Sequence, residues 1–330
     1  MHTVKHSYTV RYDLLTLLIS LLLMGCDPDN YEFEYDIIIT DTPTNLSELN
    51  SVYDDFNSDL PFLYHRTDIY FSSNRNSQGN DFDVTAGGLD FSYHSRDDIL
   101  NLSIVNEVFR QQAGLLFNKV NTENNELGPF SLRIDEDMLF MYATDSGDAF
   151  SIKLVEYTNW ENMKESVISD PLDLEGINGV ANNLYPSIDE ANNTLLFCSD
   201  REDAVYNIYT AHYRDKISKQ TLTEGDIESI EKETILSSPY DDKCPFIKDN
   251  LLVFSSNREE GFGGYDLYYS HFKNGTWSEP ENFGEKINSE NDDYRPIIFQ
   301  MFDFDLIIFS SNRPGGKGGF DLYIVNIEHL

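Results

Sequence analysis

Only three cysteines, Cys26, Cys198 and Cys244, occur in 330 residues, too few for a disulfide scaffold or a structural zinc cage. Basic residues are also sparse: 23 Lys and Arg stand against 58 Asp and Glu, a formal net charge of −35. No basic run offsets this charge, and phosphate backbones are repelled, so nucleic acid is excluded as a partner. Cationic ligands, divalent metals and basic protein surfaces stay open. Long apolar runs are missing too. The main one, Leu14 to Gly25, is too short to span a membrane as a mature helix. There is no GxSxG elbow, HExxH pair or phosphate-binding glycine loop. What is present argues for a folded body: the chain is 40% hydrophobic and 13% aromatic, which a disordered acidic chain is not.

Lys5, His6 and Arg11 precede the apolar run, which fits a signal-peptide core. The run closes on Leu23-Met24-Gly25-Cys26, and this end resembles a bacterial lipoprotein signal. That resemblance implies removal of residues 1–25 and acylation of Cys26. Acyl chains contribute ~0.8 kcal/mol per buried CH₂, so such an anchor holds to a membrane essentially permanently. Residues 26–36 then read as an acidic tether. The implied location is the bacterial outer membrane, facing the periplasm or the surface.

An internal repeat organises the remainder. Ile69-Tyr-Phe-Ser-Ser-Asn-Arg75, Leu196-Phe-Cys-Ser-Asp-Arg201, Leu252-Val-Phe-Ser-Ser-Asn-Arg258 and Ile307-Ile-Phe-Ser-Ser-Asn-Arg313 are four copies, and Met138 to Asp145 is a weaker fifth. Each copy leads through a polar or Gly-rich stretch into a second β-like run, such as Tyr265-Asp-Leu-Tyr or Phe320-Asp-Leu-Tyr. Short apolar runs bounded by turn residues suggest strands buried on both faces. A proline precedes each copy, placing blade starts near 61, 129, 186, 245 and 296. Asp226–Thr234 reads as a short helix, and no long amphipathic helix is expected.

Five such units predict an all-β fold, a five-bladed β-propeller of four-stranded blades occupying residues 37–330. The chain stops just after the third strand of blade five. Pro43 to Asp55 mirrors Pro280 to Asp293, so a segment at 37–51 is expected to supply the missing strand and close the ring. Closure removes an open edge that would invite aggregation.

Ser310–Tyr323 (SSNRPGGKGGFDLY) and Gly275–Pro296 (GTWSEPENFGEKINSENDDYRP) resemble the WD-repeat-like propeller repeats of the TolB type, notably those of Bacteroidetes-like envelope lipoproteins. This resemblance implies a lipid-anchored binding or scaffold module without catalysis, its partner an envelope protein. The alternative is a glycan-binding or glycan-cleaving surface propeller.

Propeller geometry places the loops after the SNR motif and the connections between blades on one face. That face would present Arg75, Arg201, Arg258 and Arg313 beside Asp241, Asp242, Asp292, Asp293 and Tyr294. The plainer reading makes these turn formers, with Arg258 paired to Asp266 and Arg313 to Asp321, and with Asp83, Asp266 and Asp321 as structural repeats. No cofactor is expected. Calcium is the natural ligand for clustered carboxylates, with Asp292 and Asp293 the leading candidates. Glycoside cleavage needs two carboxylates facing each other. Asp68, Asp135, Asp189, Asp249 and Asp303 fall late on the inner strands, near the turn into strand two, a placement that points away from a shared centre. His212 and His271 share one repeat position at the end of strand three and read as surface residues.

Overall fold

The computed structural model describes residues 37–327, apart from 106–111, 161–164 and 203; Cys26 and the leader therefore lie outside the described residues. Five antiparallel sheets are arranged in chain order around an axis. Each inner strand touches those of the neighbouring blades, and blade five touches blade one. The chain is a closed five-bladed propeller.

Blade three shows the pattern. Its strands are Asn183–Asp189, Thr194–Ser199, Asn207–Tyr213 and Ile227–Lys232, from inner to outer. The outer strand of blade four is broken into Thr276–Trp277 and Glu281–Asn282, both paired with Asp266–Lys273. The second strands are buried almost throughout, because each faces a neighbouring blade on both sides. Apolar clusters therefore lie between successive blades, one holding Leu154 and Phe197, another Leu196 and Phe254.

The terminal segment divides its pairing. Thr44–Asn45 pairs with Tyr323 and Ile324, completing blade five as expected. Ile37–Ile38 instead pairs with Asn101 and Leu102 at the outer edge of blade one. One stretch thus ties together the two blades that meet at the ring closure.

Two expectations are corrected. Blade one begins at Asp55, not near Pro61: its inner strand is Asp55–Asp59, and Ser58 occupies the place that proline takes elsewhere. The stretch expected as a helix over 226–234 is mainly the outer strand Ile227–Lys232, preceded by a short capped helix, Lys219–Glu224. A two-turn helix, Gln112–Val120, was not anticipated. It buries Ala113, Leu116 and Val120, three residues on one helical face, in a cluster with Tyr70, Phe140 and Trp160.

Candidate functional site

The arginine–carboxylate face is spent on building the blades. Arg75 donates to Asp55 at 2.5 Å, Arg258 to Asp242 at 2.6 Å and Arg313 to Asp293 at 2.6 Å. Arg201 donates to the carboxamide oxygen of Asn183 at 2.8 Å. In each case Nε donates to the second serine of the motif, as Arg258 does to Ser256 at 2.9 Å. The pairing of Arg258 with Asp266 and of Arg313 with Asp321 is therefore corrected. Asp266 and Asp321 instead accept amides of their own glycine loops, Phe262 and Gly263 in one case, Lys317 and Gly318 in the other. Asp83 accepts from Asn76 at 3.1 Å.

The first residue of each tandem pair links blades. Asp241 accepts the amide of Tyr206 from the preceding blade at 3.0 Å, and Asp292 accepts that of Tyr265 at 2.9 Å. Asp293, paired with Arg313, also accepts the amide of Ser289. Among the described residues, no group of three or more His, Cys, Asp or Glu side chains is placed to hold a metal ion. Tyr294 is buried against Tyr265, ring centroids 5.0 Å apart, and is not available for stacking on a ligand.

At the axis, every inner strand carries a bulge whose central residue has positive φ: Asn57, Gly128, Tyr185, Cys244 and Arg295. Only glycine fits in blade two, because a Cβ on Gly128 would stand 2.4 Å from the Tyr185 ring. The first serine of a motif accepts the bulge amide of the next blade, as Ser255 does from Arg295 at 2.9 Å. Cys198 holds that serine's place and Cys244 the bulge, so both are buried free thiols in neighbouring repeat positions.

Arg295 of blade five reaches across the axis to the Pro129 carbonyl of blade two at 3.2 Å and lies over Tyr185 of blade three at 5.6 Å. Such contacts between non-neighbouring blades fill the axis at this level. Around them, Nε and Nη1 of Arg295, the Asn57 carboxamide and the Ser58 hydroxyl have no hydrogen-bond partner within the protein, and Asp59 stands beside Ser131. Burial raises Asp59 to about 7, with Ser131 and the Arg295 charge pulling the other way. This is the one carboxylate of the cluster, and it is fully buried.

An open site lies on the opposite face, where strands one and two turn. A cleft of about 220 Å³ separates blades three and four. The hairpin of blade three contributes Asp189 and that of blade four Asp249. Glu233, just past the outer strand of blade three, enters with His212, and Phe272 and Trp277 of blade four complete the wall. Desolvation raises the Glu233 pKa, opposed by the Thr210 hydroxyl, which donates at 2.5 Å, and by His212. Asp189 is occupied by its own turn, accepting from the amides of Ala191 and Asn192 and the Asn192 side chain. Asp249 sits exposed at its hairpin tip with φ +55, a left-handed position that Asp tolerates. Phe272 and Trp277 meet with centroids 5.0 Å apart.

Sequence reasoning dismissed Asp189 and Asp249 as acids placed away from any shared centre. They are away from the axis, but the cleft between two blades brings them together with Glu233. Glu233 carried no repeat signal, since outer strands vary most from blade to blade.

No protein-family model matches the chain, and no curated protein matches it. Solved structures do. An exo-1,5-α-L-arabinanase from a bovine ruminal metagenomic library superposes with a TM-score of 0.50 at 12% identity, over 86% of this chain and 99% of its own. A glycoside hydrolase family 43 β-xylosidase/α-arabinofuranosidase from a compost metagenome, solved with xylotriose, gives 0.52 at 8%, over 89% and 96%. An endo-arabinase from Bacteroides thetaiotaomicron gives 0.51 at 14%, over 85% and 99%.

Identities this low establish the fold alone. The propellers named above are glycoside hydrolases and not TolB-type or WD-repeat proteins, so the TolB-type family is not confirmed and the expectation of a scaffold without catalysis, drawn from it, is corrected.

Proposed function

We propose that this protein cleaves glycosidic bonds, and that it does so in the cleft between blades three and four. One observation carries the reading: a single open cleft joins a desolvated carboxyl, Glu233, to a solvated carboxylate, Asp249, beside two aromatic rings. Glycoside cleavage requires two carboxyl groups whose surroundings push their pKa values apart. Glu233, whose protonated form burial favours, gives its proton to the leaving glycosidic oxygen as the bond to the anomeric carbon breaks. Water adds to that carbon and passes its proton to Asp249. Asp189 holds the wall in place through its turn. Phe272, half-buried in the wall and backed by the buried Trp277, supplies apolar surface for a sugar face. The acid lining and the net charge of −35 favour neutral glycans over anionic ones.

The family-43 and arabinanase likeness supports the choice of probes. Linear arabinan, xylan, their oligosaccharides and the corresponding p-nitrophenyl glycosides form the test panel. New reducing ends, with Glu233→Gln slower by about 10²-fold or more, are the expected outcome. No release from any member, or full release by Glu233→Gln, would refute the assignment.

We further propose that Cys26 anchors the propeller to the outer membrane, which sets it against polymeric substrates arriving from outside the cell.

A further inference from the structure

A second cavity, about 250 Å³, lies between blades four and five on the same face as the cleft. The two cavities share Asp249, so they adjoin across one hairpin tip. They are also repeats of each other. His212 at the end of strand three lines the first, and His271, its counterpart one blade on, lines the second. At about 220 and 250 Å³ the two cavities are also of similar size. The second wall combines polar groups, Lys248, His271 and Asp305, with the aliphatic Leu251 and Ile298.

We propose that the second cavity is a binding subsite for a neighbouring residue of the same neutral glycan chain, so that the protein recognises linear oligosaccharides and not single sugars. This rests on the glycan reading given above. Its recognition chemistry is hydrogen bonding of sugar hydroxyls to His271 and the adjoining carboxylates, with Leu251 and Ile298 under the ring.

The test is isothermal titration of the folded propeller with xylose, arabinose and their linear oligosaccharides of two to five residues. Wild-type affinity should rise about tenfold or more, ~1.4 kcal/mol, between one residue and three. His271→Ala should abolish that rise. Leu251→Trp, which fills the second cavity, should do the same and guards against a folding defect in the first variant; melting curves check both. Affinity independent of chain length, a rise that survives both variants, or no binding at all would each overturn the proposal. Length-dependent binding without product release would sink hydrolysis and keep the subsite.

Discussion

The hydroxyl of Ser310, in blade five, accepts the backbone amide of Asn57, in blade one, at 3.1 Å. The same bond joins Ser255 to Arg295 between blades four and five, so ring closure reuses an ordinary blade-to-blade connection. Both partners are buried. Ser310→Ala leaves a buried amide without its acceptor, which costs about 1–3 kcal/mol. Urea unfolding should show that loss; a change below about 0.5 kcal/mol would mean the closure does not depend on this bond.

Arg313 and Asp293 form a pair whose carboxylate is buried, and blade two shows what happens without the arginine. There Glu126 takes the carboxylate's place, no arginine follows the Met138–Asp145 copy, and burial raises its pKa to about 7 despite bonds from Thr122. Arg313→Ala should therefore strand Asp293, destabilising the fold by about 3–5 kcal/mol. Urea unfolding of the variant should show that loss; a change below about 1 kcal/mol would contradict the account.

Asp59 makes stability depend on pH. Its folded pKa, about 7, exceeds its ordinary value of 3.8. The stability this group contributes is complete below about pH 4 and is lost as pH rises through 7, by on the order of 4 kcal/mol in total. Asp59→Asn lacks this titration. The wild-type-minus-variant difference in unfolding free energy should fall steadily from pH 4 to pH 8; a flat difference would show that Asp59 is solvated.

Acylation of Cys26 predicts that wild-type protein sediments with membranes and that Cys26→Ser is released. Equal partition of the two would remove the anchor.

Much of the fold could be read because propeller blades repeat. The Phe-Ser-Ser-Asn-Arg strands and the mirrored segment at Pro43 identified both the blade number and the ring closure. Pro61 misled because proline marks the bulge in four blades, while blade one reaches the same backbone with Asn57 and Ser58. The arginine partners were misassigned by sequence proximity. Asp266 is eight residues from Arg258, yet the salt bridge spans sixteen residues to Asp242. The candidate cleft was hidden for a deeper reason. Asp189, Glu233 and Asp249 belong to three separate turns and edges, and only packing between two blades brings them together.

The central claim is that chemistry resides between blades three and four and not at the axis. Hydrolysis of the most active panel substrate by wild type, Glu233→Gln and Asp59→Asn, compared in one experiment at pH 6, tests it most directly. The account predicts a loss of about 10²-fold or more for Glu233→Gln and a near-wild-type rate for Asp59→Asn. Loss confined to Asp59→Asn would move the reaction to the axial cluster and contradict the assignment.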